Sequence, residues 1–429
     1  MTSGSGSFDS PLADAHGSLR TDGTPERDVA RVRAFVHGRL MTCVGDGLGL
    51  IDDGALIVAD GTIAWVGDAA DLAAAARALA VTVEHVRDLE GRLLTPGLVD
   101  CHTHAIFAGD RAHEFALRAR GAGYLEIAAA GGGIAATTGP TRASTDDALV
   151  ALTVDRLRRA RATGTTTMEI KSGYDLTVDG ELRLLRLIAR AAAAGVIAVE
   201  PTLLCHVVPA DRRADRAAYV DELAGALVPA AARARLATSV DVYCDDGAFT
   251  RAETARILGA AAACGLAVRG HVGQFTDQGA AELVAGLGGR SVDHLEQVSA
   301  AGIAALAAAG TVAVMLPGAC VQLRLPPPPV AALRAAGVAM AVASDLNPGS
   351  SHASSLPLQL WLATTHLGMT VDEAWLGVTR HAARALGLAD RGALIAGARP
   401  DLVSWNVRDP AAVPYAYDRD HVDEVIVAA

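Results

Sequence analysis

Two histidines two positions apart, His102 and His104 in LLTPGLVDCHTHAIFAGDR, are the first side chains whose type and spacing could do chemistry. Residues two apart on a β-strand point to the same face. Neutral imidazoles so placed can grip a single zinc or iron ion. Further candidates follow strand-like runs: His271 in RGHVGQF, His294 in VDHLE and Asp345 in ASDLNPGSS. Each alone has a plain structural alternative, since a lone His after a strand is often packed and an Asp before a helix is often its cap. Taken together, two His from one strand, a third His and an Asp leave a coordination position open for water. A metal needs such a position to make hydroxide near neutral pH.

For these residues to meet, each must sit at the same end of a neighbouring strand. The middle of the chain supplies that pattern. Short runs rich in Val, Ile and Thr alternate with long Ala/Leu/Arg stretches: GTTTMEIKSG then LRLLRLIARAAAA, SVDVYCDDG then RAETARILGAAAACG, and so on through AMAVASDLNPG. About eight such βα units over roughly 300 residues predict a (β/α)8 TIM-type barrel, with active residues at the C-terminal ends of its strands. The flanks differ. Turn-bounded apolar runs such as DGTIAWVG and LEGRLLTPG near the start, and DLVSWNV and VDEVIVAA at the end, predict a small β-sandwich domain assembled from both chain ends. The expected division is a disordered leader over 1–28, a composite β domain over 29–95 and 399–429, and the barrel over 96–398.

Composition narrows the function classes. The chain has 429 residues, 51% hydrophobic and 20% charged, with a formal net charge of −11. An acidic balance without a basic patch argues against nucleic acid. The most apolar stretches are broken by Arg, Glu or Pro, so no membrane span is expected. Six scattered cysteines without a C-x-x-C pair suggest reduced thiols, hence a cytoplasmic protein. Lys171, in TTTMEIKSGYDL, is the sole lysine. It could be a carbamylated metal bridge, a substrate contact, or an accident of an arginine-rich composition.

The ordered set HTH, EIKSGY, LCHVVP, HVGQF, DHLE, MLPG and SDLNPGSS resembles the amidohydrolase superfamily. HTHAIFAGDRAHEF, YLEIAAAGGGI and EIKSGY narrow the resemblance to its imidazolonepropionase family. That resemblance implies hydrolytic ring opening of 4-imidazolone-5-propanoate to N-formimidoyl-L-glutamate in histidine degradation. It puts one divalent metal, zinc or iron, on His102, His104, His271 and Asp345. Substrate contacts fall on Arg111, Tyr124, Tyr174, His206, Asn347, Gly349 and Ser350, and proton transfer on His294 and Asp345. A homodimer is implied as well. Gln274 stands where related mononuclear enzymes commonly carry a proton-shuttling Glu; it can hydrogen-bond substrate but cannot titrate. Lys171 then reads as a positive charge beside the site, its partner unassigned. The alternatives are another cyclic-amide hydrolase or a deaminase of the same superfamily, including a two-metal enzyme with Lys171 as carbamate, and a non-catalytic relative.

Overall fold

The computed structural model describes residues 32–123, 126–127 and 131–428; the expected leader over 1–28 lies outside them. Among the described residues, eight parallel strands form one sheet in chain order. They are labelled β1 to β8: Leu98–Asp100, Thr165–Lys171, Ala198–Cys205, Ser239–Cys244, Ala267–Val272, Ser291–His294, Val312–Met315 and Met340–Val342. Most of their residues are buried whichever way they point, as a parallel sheet covered by helices requires. That is why the runs read as continuously apolar rather than alternating.

The sheet closes just beyond its first and last strands. Thr103 and Leu346 form a parallel bridge. The His104 N–H donates to Leu346 O at 2.9 Å, and the Asp345 N–H donates to His102 O at 3.1 Å. Below this seam the Asp100 carboxylate accepts from Ser344 N at 3.0 Å and from Ser344 Oγ at 2.5 Å. The closed (β/α)8 barrel therefore brings the two candidate ligand segments together by its own hydrogen bonding.

Helices start where the sequence places caps. Thr145 caps Asp146–Ala162, Thr177 caps Val178–Ala192, and Thr250 with Glu253 forms a capping box on Arg251–Ala263. These helices cover the sheet with Leu, Ile and Ala, and their inner faces join the strands in one large core.

Both chain ends build a second, mixed sheet. Among the described residues it has seven strands: Arg33–Met41, Leu50–Ala59, Thr62–Asp68, His85–Asp88, Leu93–Pro96, Leu402–Trp405 and Val422–Ile426. Leu93–Pro96 pairs antiparallel with Leu402–Trp405, so the start and end of the chain meet directly. Trp405 Nε1 donates to Thr95 Oγ1 at 3.0 Å, and its ring meets Trp375 edge-on at 5.5 Å. Only Gly97 separates this sheet from β1, which passes its anchorage straight to the strand carrying the H-x-H pair. No helix among the described residues is long and apolar enough to cross a membrane.

Candidate active site

The strand ends converge on one polar cluster. His102 and His104 follow β1, His271 lies near the end of β5, His294 ends β6, and Asp345 follows β8. His104 Nε2 is 3.3 Å from His271 Nε2 and 3.4 Å from Asp345 Oδ1, and His102 Nε2 is 3.5 Å from the same oxygen. Tetrahedral ligands on bonds of about 2.0–2.2 Å lie about 3.3–3.6 Å apart, so these spacings match the edges of such a site. His102 Nε2 is buried with no hydrogen-bond partner among the described residues. An orphaned lone pair of that kind fits a metal ligand. His294 also approaches, its ring grouped with those of His102 and His271.

The rings are aimed from behind by carboxylates. His102 Nδ1 meets Asp293 Oδ2 at 2.7 Å and His271 Nδ1 meets Asp241 Oδ1 at 2.8 Å. Each ring N–H donates to its carboxylate, which fixes the tautomer and turns the Nε2 lone pair toward the cluster. Burial pushes His271 down to about 3, keeping it in the neutral form that a metal ligand needs. Burial and Lys171 also push His102 down, yet Asp293 and Asp345 outweigh them and leave it raised, to about 9. Positive charge is therefore favoured at this spot, from a proton or from a metal ion.

Lys171 completes the arrangement. Its Nζ lies 2.8 Å from both Glu169 Oε1 and Asp241 Oδ2, fully buried. Arg269 sits beside it, 3.0 Å from Glu169 Oε1, and donates to Ser291 Oγ at 2.9 Å and to Cys101 O at 2.7 Å. Two cations thus face the carboxylates of Glu169, Asp241 and Asp293, while Asp345 faces the imidazoles of His102 and His104. Burial and Arg269 oppose the lysine's charge, but Asp241, Glu169 and Asp293 prevail and push its pKa up. A protonated amine does not form a carbamate, and a carbamate here would face two carboxylates. The environment of Lys171 opposes the bridging role.

The pocket in front of the cluster has a volume of about 40 Å³. Its wall includes Arg111, Tyr174, His206, Gln274, His294, Asn347 and Ser350, all expected from sequence, together with Ile134 and Tyr243, which were not. Tyr124 lies outside the described residues. His206 Nδ1 donates to Gly173 O at 3.0 Å, which leaves its Nε2 as an acceptor. Burial, then His104 and His271, hold its pKa well below the usual value, so the ring stays neutral. Burial also opposes charge on His294, but Glu296 and Asp345 raise it overall.

Two buried carboxylates that sequence reasoning missed hold the wall in place. Glu181 accepts from the backbone N–H groups of Gly173, Asp175 and Leu176 at 2.6–2.8 Å, pinning the loop that carries Tyr174. Gly173 is needed there, because its φ is +102° and a Cβ would strike Leu204 at 2.7 Å. Asp245 accepts from the N–H groups of Gln274, Phe275 and Thr276 at 2.8–3.0 Å and fixes the loop after β5. Backbone strain gathers at the same place: His294, Leu295 and Asp345 have φ of 82°, 72° and 50°.

Other expected contacts hold the wall as well as face the pocket. Arg111 gives its Nε and Nη2 to Glu114 Oε2, at 2.9 and 2.7 Å. A Cβ on Gly349 would meet Arg111 Nη1 at 2.1 Å, so glycine lets the guanidinium lie flat against that loop. Gly349 itself is not in the pocket lining; its carbonyl accepts from Arg118 and Gln322. Asn347 spends its amide on its own loop, accepting from Gly349 N and Ser350 N and donating to Asp345 O, each at 2.7 Å.

The amidohydrolase family matches residues 93–428. An imidazolonepropionase of Rhizorhabdus wittichii is 46% identical over 386 residues, 89% of this chain and 95% of the relative. One of Caulobacter vibrioides is 47% identical over 390 residues, again 89% and 95%. The chain belongs to the imidazolonepropionase family of amidohydrolases. Among solved structures, a triazine hydrolase variant matches with a TM-score of 0.71 at 17% identity, covering 93% of this chain and 94% of that one. A zinc-bound adenosine deaminase from Xanthomonas campestris matches at 0.67 and 19%, covering 92% and 91%. At that identity the likeness is one of fold, and it agrees with the barrel and appended sheet. Membership in the family, with the His/Asp cluster, suits a divalent metal ion.

The carboxylates behind the rings give a direct test. Asp241→Asn removes the charge facing His271 and Lys171, and apparent metal affinity should fall about 10- to 100-fold in a chelator competition. Parent-like affinity would show that Asp241 does not support His271 as a ligand.

Proposed function

We propose that this chain hydrolyses 4-imidazolone-5-propanoate to N-formimidoyl-L-glutamate, a step of histidine degradation, with one zinc or iron ion on His102, His104, His271 and Asp345. The observation that carries the reading is the 46–47% identity to imidazolonepropionases over nine-tenths of the chain. The pocket chemistry supports it. A divalent metal, when bound, polarises a carbonyl and acidifies water. Asp345 takes up the proton that the attacking water gives up as oxygen adds to the ring carbonyl carbon. Its Oδ1 faces the imidazoles, while its Oδ2 lies 3.5 Å from Ser350 Oγ. As the ring C–N bond breaks, His294 delivers a proton to the departing nitrogen, with Glu296 3.8 Å behind it favouring its charged form. His206 Nε2 accepts a ring N–H, and Arg111 draws the propanoate carboxylate toward the outer side of the pocket.

The assay follows the loss of the imidazolone's ultraviolet absorbance alongside two other cyclic amides. Turnover should be confined to the imidazolone; preference for another ring would replace this reading with that of a different cyclic-amide hydrolase. Arg111→Met should raise KM about tenfold or more, the worth of a charge-assisted contact, with metal content unchanged. Binding as tight as the parent's would remove Arg111 from tail recognition.

The protein is proposed to be cytoplasmic, in keeping with its free cysteines, and to form a homodimer. A groove lined by Phe115, Val321, Leu358, Trp361 and Leu362 lies beside the exposed Tyr415 and Tyr417, an apolar stretch suited to a second copy. Sedimentation equilibrium should return twice the chain mass; the mass of one chain would exclude the dimer.

A further inference from the structure

We infer that Tyr243 is a positioning residue for this reaction: its hydroxyl orients the Gln274 amide toward the substrate, and its ring separates the catalytic pocket from an outer vestibule. The inference rests on the ring-opening reading for the identity of the substrate. Tyr243 is the penultimate residue of β4, and its Oη donates to Gln274 Oε1 at 2.9 Å. Both side chains are buried. A carboxamide has one accepting end and one donating end. With Oε1 held by the tyrosine, the Nε2 amino group is the end left for substrate. It therefore presents a donor, suited to a ring nitrogen that carries a lone pair. A Glu in this place would present an acceptor when ionised, so the tyrosine gives the glutamine a defined role in place of a titrating one.

The loop geometry leaves the tyrosine little slack. Asp245, two residues further along the same strand end, already pins the backbone of Gln274, Phe275 and Thr276. The amide's rotation is what remains to be fixed, and the Tyr243 hydroxyl reaches it. The ring packs 5.7 Å from His271 and 6.1 Å from His206. It lines the catalytic pocket on one side and, on the other, a vestibule of about 370 Å³ bounded by Arg142, Leu176, Val208 and Asp246. Ile134 is the other wall residue common to both spaces.

The test is a double-mutant cycle on the metal-loaded enzyme with 4-imidazolone-5-propanoate. Tyr243→Phe keeps the wall and removes the hydroxyl; Gln274→Leu removes the amide. Tyr243→Phe alone should lower kcat/KM about tenfold, the worth of one buried hydrogen bond, with melting temperature and metal content like the parent's. In the Gln274→Leu background the same change should cost less than about twofold, because two residues acting as a unit are not additive. An equal loss in both backgrounds, or none in the parent, overturns the inference while leaving the ring-opening reading intact. A parent enzyme that does not open the imidazolone overturns that reading and this inference with it.

Discussion

One buried ammonium holds this site together. Lys171 Nζ bonds Glu169 and Asp241 at equal distance inside the barrel. Asp241 in turn aims His271, and Asp293, 3.9 Å from the same Nζ, aims His102. Glu169 accepts from the N–H of Thr103, the residue between His102 and His104. Candidate ligands from two strands and the backbone between the H-x-H pair thus share one cation. Buried charges are costly unless paired and hydrogen-bonded on all sides. Here the pairing is mutual: no carboxylate of the set could be left without a partner at small cost. Lysine suits this junction because a compact ammonium has three diverging donors, whereas the planar fork of arginine binds one carboxylate edge-on. Arg269, next to it, instead spreads its fork over three groups, 3.0 Å from Glu169 Oε1 and donating to Ser291 Oγ and Cys101 O.

The same cluster depends on how the barrel closes. His102 and Asp345 are backbone hydrogen-bond partners, and so are His104 and Leu346. The spacing of His102, His104 and Asp345 is therefore set by backbone hydrogen bonds across a β-bridge. Asp345, beside this bridge, has positive φ, and so do His294 and Leu295 at the end of β6. Such conformations persist only where the surroundings over-determine them. The Asn347 amide, which bonds Asp345 O on one side and the Gly349 and Ser350 N–H groups on the other, supplies that constraint after β8.

Sequence reveals the groups that face the pocket better than those that stand behind them. The H-x-H pair, the later strand-end histidines and Asp345 are legible because they recur together at the ends of successive apolar runs, although each alone has a structural explanation. The βα alternation makes the barrel legible for the same kind of reason, a period repeated many times. Glu169, Asp241 and Asp293 are harder. They lie within strands, in MEIK, SVDVYC and SVDH, and the signal they offer is a charge inside a run otherwise meant for burial. That signal announces a buried partner without naming it, since most of the partners come from other strands. Glu181 and Asp245 are less visible still, because they bond backbone amides of loops whose shape no local pattern encodes. Lys171 shows both sides: its isolation marks it, while its partners, between 2 and 122 positions away, emerge only from the fold.

These features together explain how a small pocket can discriminate among similar rings. Shape alone separates substrates that differ by a methylene only weakly, whereas a buried polar group left without a partner rejects a wrong ligand strongly. Two groups of the wall have one defined polarity each: His206 is a neutral acceptor because Gly173 O takes its other proton, and Arg111 is a donor partly committed to Glu114. Each polarity is fixed by a contact on the side away from the pocket. A ring whose donors and acceptors are displaced by one position would meet mismatches at both, and neither could turn to relieve the mismatch without breaking its outer bond. Selectivity in this fold therefore resides as much in the residues behind the wall as in the wall itself.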